Sequence, residues 1–164
     1  MTKNKDRKMR QETKIKPSSS STSRLQLLTS HLLPPMASEK DAALAAVPTD
    51  SPTIFDKIIN KEIPAKVVYE DEKVLAFRDI APQAPTHIVI IPKVKDGLTG
   101  LSKAEERHCE ILGHLLYSAK RIAEQEGLED GFRIVINDGP KGCQSVYHIH
   151  IHLLGGRHMN WPPC

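Results

Sequence analysis

No uninterrupted apolar run in this chain is long enough to span a bilayer, so a membrane helix is not expected. Cysteine is equally sparing. Cys109, Cys143 and Cys164 are an odd number and form no CxxC. That pattern argues against a disulfide framework and a structural zinc site, and it suits a reducing compartment. What is present is globular: 39% hydrophobic and 26% charged residues in 164 positions, enough for one domain with a real core.

The formal net charge of +3 is unevenly spread. Lys3, Lys5, Arg7, Lys8, Arg10, Lys14, Lys16 and Arg24 crowd the first 35 residues, and the remainder is slightly acidic. Residues 1–52 have no sustained periodicity and carry Pro17, Ser18 to Ser21 and Pro34-Pro35, so they are expected to be disordered. A basic, Ser-rich segment resembles an organelle transit peptide, but Asp6 and Glu12 count against that. Met36-Ala37-Ser38-Glu39 reads instead as the start of a shorter protein behind an upstream extension. A cytoplasmic location is expected, with a nuclear one and organelle targeting by residues 1–35 left open. The basic arm reads as solvated, and nucleic-acid contact is not expected.

Order is predicted from Thr53. Ser51 or Thr53 can cap a short helix whose apolar face is Ile54, Phe55, Ile58 and Ile59. Lys66 to Glu70 and Lys73 to Arg78 read as a hairpin turned at Asp71-Glu72. His87 to Ile91 reads as a central strand. Ser102 and Glu105 form a capping box for a helix that runs to Glu126 and stops at Gly127. Phe132 to Asn137 and Tyr147 to Leu154 read as two further strands. Five strands, one long helix and one short one predict an α+β domain over 53–164, with an antiparallel sheet covered by helix on one face. The long helix carries apolar residues beyond one stripe, Ile111 and Leu115 beside Leu112, Leu116 and Ala119. The surplus predicts a two-fold partner.

The chemistry concentrates in Tyr147-His148-Ile149-His150-Ile151-His152-Leu153-Leu154. Alternation in a strand puts His148, His150 and His152 on one face, roughly 6.5–7 Å apart at the backbone. An H-x-H pair can chelate zinc. No carboxylate or cysteine in this stretch completes such a site. The loop before it, Asn137-Asp138-Gly139-Pro140-Lys141-Gly142-Cys143-Gln144-Ser145, is built like an anion cradle, with glycines, a hydroxyl and neutral donors. Imidazole is a capable nucleophile near neutral pH, and a covalent intermediate divides one hard displacement at phosphorus into two easier ones.

His-Ile-His-Ile-His-Leu-Leu resembles the signature of the histidine triad (HIT) family of nucleotide hydrolases and transferases. Thr53 to Ile59, Glu62 to Lys66, Phe77 to His87 and Gly155 to Pro163 resemble its Hint branch, and Trp161-Pro162-Pro163 is distinctive for that branch. The resemblance covers 53–164. It implies a metal-independent, cofactor-free purine nucleoside phosphoramidase that hydrolyses adenosine 5′-phosphoramidates to AMP, with adenylylsulfatase activity as a related capacity. It implies a homodimer whose sheets continue across the interface. His150 matches the nucleophile, His148 and His152 its flanking groups, and Ser145 the hydroxyl beside the leaving group, with His87 in support. Asn137, Cys143, Gln144, Ser145, Val146, His150, Ile151 and His152 match nucleotide contacts. Asp79 and Ile80 match the ribose site, and Ile54, Phe55, Ile63 and Phe77 the base pocket. Trp161 matches a specificity residue reaching the partner's site.

Plainer roles compete with these. Large apolar residues such as Ile54, Phe55, Ile63 and Phe77 are usually core. Asp79 beside a Pro-rich loop can be a turn residue. Three departures stand out: Cys143 occupies a position that is often Gly in this branch, Cys164 stands last where Gly is familiar, and Val94-Lys95-Asp96 lacks a histidine found in some relatives. A nucleotide-responsive scaffold and a zinc-binding regulator are the alternative function classes.

Overall fold

The structure is a computed structural model and describes Asp41, residues 45–47 and residues 51–163. The expectations for residues 1–52 fall almost entirely outside these. Thr53 starts the ordered domain. Its hydroxyl accepts the N–H groups of Phe55 and Asp56 at 3.2 and 3.4 Å, and its own N–H donates to Asp56 Oδ2 at 2.6 Å. This reciprocal cap opens α1, Ile54–Ile59. Strands β1 (Val67–Glu70) and β2 (Val74–Arg78) form the expected hairpin. Asp71 shapes its turn, Oδ1 accepting the N–H groups of Lys73 and Val74 at 2.8 and 2.7 Å.

With β3 (Thr86–Pro92), β4 (Phe132–Val135) and β5 (Ile151–Gly155), the sheet has five strands in the order β1-β2-β3-β5-β4, all neighbours antiparallel. This is the expected α+β architecture. One face buries Val74, Ala76, Ile88, Ile90, Ile151 and Leu153 against Leu115, Ala119, Ile122 and Ala123 of the long helix α2, Cys109–Gln125. The opposite face sets Leu75, Phe77, Val89 and Ile91 against Phe55 of α1. The second face holds the site, because His152 pairs with Val89 across the ladder and paired residues share a face.

Strand ends shift by one or two residues, β4 for instance stopping at Val135 and not Asn137, and two boundaries differ from the sequence reading by more. Ser102 and Glu105 do not cap one continuous helix. Two 3₁₀ turns, Leu101–Lys103 and Glu106–His108, precede α2, with Ala104 extended between them. Competing partners explain this: the Ser102 N–H donates to Asp138 Oδ1 at 3.0 Å, and the Glu105 N–H to His108 Nδ1 at 2.9 Å. The far end is as expected. Gly127 is left-handed at φ 67, and the Leu128 and Gly127 N–H groups close onto the carbonyls of Ala123 and Glu124.

Strand β5 starts at Ile151, four residues later than the alternation predicted. The same register would next pair Ile91 with His150 and then Pro92 with Ile149, but the ladder stops at Ile90 and Ile151. The chain leaves the sheet there, and the Ile149 N–H donates to the Leu98 carbonyl at 2.8 Å. Only His152 of the three histidines therefore lies on a regular strand.

Candidate active site

The three histidines converge even so. The His150 and His152 ring centroids are 4.9 Å apart, and Phe55 packs edge-on to His148 and His150 at 5.9 and 5.1 Å. His148, His150 and His152 are 0%, 2% and 6% exposed. Their hydrogen bonds assign the protons. His150 Nδ1 lies 2.8 Å from the His148 carbonyl, which can only accept, so Nδ1 carries the proton and Nε2 the lone pair. His148 Nε2 donates to the Pro92 carbonyl at 2.8 Å. His87 Nδ1 accepts the Gln83 N–H at 3.1 Å, so its Nε2 carries the proton toward His152 Nδ1, 2.9 Å away. His152 Nε2 is then the protonated nitrogen, and it has no protein partner among the described residues. The trio thus offers a lone pair on His150 beside a donor on His152.

Burial pushes the His148 and His152 pKa values down. For His152 the neighbouring His87 adds to the effect against the pull of Asp79, and the value falls to about 4. For His148 burial outweighs the Pro92 carbonyl and Asp56. Both rings are neutral at pH 7. Their unfolded counterparts take up protons near pH 6.5, before the folded ones do, so acidification favours the unfolded chain. Stability should be complete above about pH 6.5 and fall at about 1.4 kcal/mol per pH unit for a fully buried histidine as pH drops toward 4. Urea unfolding at pH 7 and pH 5 measures this, and His152→Gln should flatten the difference.

Asp79, His87 and His152 bring one potential metal-ligand atom each within 4.8 Å of one another. The donor set does not fit a divalent ion. A ligating imidazole donates its second N–H to an acceptor. His87 presents its second nitrogen to a donor, the Gln83 N–H, and so keeps the proton on the nitrogen that would bind metal.

The remaining candidates divide. Asp79 accepts the Ala81 N–H at 2.7 Å and stands 3.5 Å from His87 Nε2, with Ile80 beside it 91% exposed. Ile54 is half exposed and Ile63 partly buried, whereas Phe55 and Phe77 are buried against each other with ring centroids 5.8 Å apart. Ile151 sits in the core on the helix face, so its side chain takes no part in the site. Gln144 is 1% exposed and bonds main chain only. Val146 packs on the Phe55 cluster, and Ser145 is partly buried beside it. Trp161 is 86% exposed, its segment tied by Arg133 to the Asn160 carbonyl.

Sequence reasoning missed Asp56, whose Oδ1 lies 3.8 Å from His148 Nδ1. Its position three residues after the cap was the available signal. It also missed the Gln83 N–H and the Pro92 carbonyl, which carry no side-chain signature.

Cys143 takes the left-handed conformation, φ 61 and ψ 32, that its usual glycine counterpart would adopt without strain. Its carbonyl nevertheless accepts Asn137 Nδ2 at 3.3 Å, so the loop keeps its form. Cys143→Gly should raise stability by about 1 kcal/mol, read from urea unfolding.

Residues 60–159 match the HIT domain family. The chain is 74% identical over 143 residues to "Adenylylsulfatase HINT1" of Arabidopsis thaliana, covering 85% of this chain and 97% of that one. It is 81% identical over 128 residues to the "14 kDa zinc-binding protein" of Zea mays, covering 78% and 99%. Among solved structures, a HIT family hydrolase from Legionella pneumophila superposes with a TM-score of 0.65 at 52% identity, over 68% of this chain and 98% of that one.

Proposed function

The chain belongs to the HIT family, in its Hint branch, and from that premise we propose that it hydrolyses purine nucleoside 5′-phosphoramidates to the nucleoside monophosphate and a free amine. The observation that carries the reading is the proton on His150 Nδ1, held by the His148 carbonyl, which gives Nε2 its lone pair. His150 Nε2 attacks the α-phosphorus, the N–P bond forms, and the bond from phosphorus to the leaving amine breaks. The amine departs with a proton passed through the Ser145 hydroxyl. Water then attacks the nucleotidyl-histidine, releasing AMP and restoring both the lone pair and the proton. His152 Nε2–H donates to a phosphoryl oxygen as charge builds there. No metal or cofactor enters these steps. The zinc in the maize relative's name belongs to that protein.

Asp79 with the exposed Ile80 forms the ribose side and Ile54 with Ile63 the rim of the base pocket. Adenosine 5′-phosphosulfate presents the same α-phosphorus with sulfate as leaving group, and the name of the Arabidopsis relative supports it as a second substrate. Leu116 and Tyr117 on α2 and Phe132 on the edge strand β4 are 48%, 59% and 39% exposed, which supports a homodimer. In that assembly Trp161 reaches the partner's leaving-group side. Among the described residues no helix is long and apolar enough to cross a membrane. The free thiols of Cys109 and Cys143 support a cytoplasmic location. A panel of adenosine and guanosine phosphoramidates, adenylylsulfate and diadenosine polyphosphates tests the substrate class. Turnover confined to the diadenosine compounds would contradict it.

A further inference from the structure

The Gln144 side chain is buried, and every polar atom of it is engaged. Oε1 accepts the Gly139 N–H at 2.9 Å, while Nε2 donates to the carbonyls of Thr99 at 2.5 Å and Val146 at 3.1 Å. Its own N–H donates to the Gly139 carbonyl at 3.0 Å. The residues on either side of Ser145 are thereby held, Gln144 through its own N–H and side chain and Val146 through its carbonyl. The Thr99 bond reaches across to a separate segment, which enters the same cluster twice more: Ser102 N–H on Asp138 Oδ1, and the Leu98 carbonyl on the Ile149 N–H.

Gly100 lies at the centre of that segment. Its φ of −159 is ordinary extended backbone, so conformation does not require glycine there. Space does. A Cβ would collide with Asp138 Oδ1 and come within 2.9 Å of Gln144 Oε1. Neither atom can yield without giving up its own hydrogen bond, and the Gln144 amide is fully buried. A buried polar group that loses its partner incurs its full desolvation cost.

We infer that Gln144 and Gly100 are positioning residues for the phosphate side of the site: the Gln144 amide staples the Ser145 loop to residues 98–102, and Gly100 is the gap into which the staple fits. The inference rests on the proposed placement of Ser145 beside the phosphate. It assigns Gln144 a role through main chain in place of nucleotide contact, and it gives the segment before α2 a part in the chemistry.

The test compares AMP with adenosine as ligands of the full chain, by calorimetry, on samples shown by melting to be folded. Gln144→Met should weaken AMP binding roughly 10–100-fold, the loss expected when buried main-chain groups go unpaired, and leave adenosine binding unchanged. Gly100→Ala, the milder change, should show the same selective loss. The double variant should lose no more than the worse single one, because both break one coupled unit. Equal loss of AMP and adenosine would reduce the role to general stability and overturn the inference. So would wild-type AMP affinity in Gly100→Ala, or losses that multiply. No turnover enters this measurement, so a chain that binds AMP selectively but hydrolyses nothing would refute the hydrolase reading alone.

Discussion

His150→Ala should lose turnover by on the order of 10⁴-fold or more while still binding AMP. The loss is large because attack at phosphorus has no substitute. His148 Nε2 is committed to the Pro92 carbonyl, and His152 presents a proton where a nucleophile needs a lone pair. Binding survives because the groups around the ring do not depend on it. The His148 carbonyl is main chain, and the His87–His152 pair is fixed from the Gln83 side. Steady-state rates with an adenosine phosphoramidate and calorimetry with AMP check both halves. Residual turnover within tenfold of wild type, measured on a preparation free of contaminating hydrolase, would remove His150 from the nucleophile's place.

Phe55→Ala should cost about 3–5 kcal/mol of stability, the range for truncating a buried aromatic. Phe55 is 7% exposed and touches Phe77, His148 and His150 with ring centroids 5.1–5.9 Å away. It packs edge-on against His150, the proposed nucleophile, so turnover should also fall in whatever fraction stays folded. Ile54→Ala, one residue earlier and half exposed, should change stability by less than about 0.5 kcal/mol and act on KM for the purine nucleotide. Neighbouring residues of one helix would thus separate structure from recognition. Urea unfolding beside steady-state kinetics reads the difference. Similar stability losses in both variants would show that Ile54 is also core.

Local signals that work within a few residues were legible in the sequence. Thr53 caps α1, Gly127 stops α2, and the Asp71 turn closes the hairpin, each through contacts at most a few positions apart. The Ser102 box was an equally local signal, and it lost to Asp138, a partner 36 residues away that no local pattern announces. The same limit explains the site. Alternation pointed to the three histidines and placed Ile151 on the opposite face, where its side chain is indeed core. It could not show that the strand starts only at Ile151, because the Ile149 N–H is taken by the Leu98 carbonyl, a partner distant in sequence. His87 was legible as a candidate through family resemblance, but its purpose needed the fold. It sits diagonal to His152 on β3, with its proton set by a main-chain N–H. Gln144 shows the converse: its position in a motif suggested contact, and its buried side chain bonds the main chain of Thr99, Gly139 and Val146.

The most direct measurement of the central claim is to quench the wild-type chain in denaturant during turnover of an adenosine phosphoramidate and map the adduct by peptide mass spectrometry. The account predicts one adenylyl group, on the peptide containing His150 and at that residue, and no adduct in His150→Ala. An adduct on His148, His152 or Ser145, or hydrolysis at full rate with no adduct trapped, would contradict it.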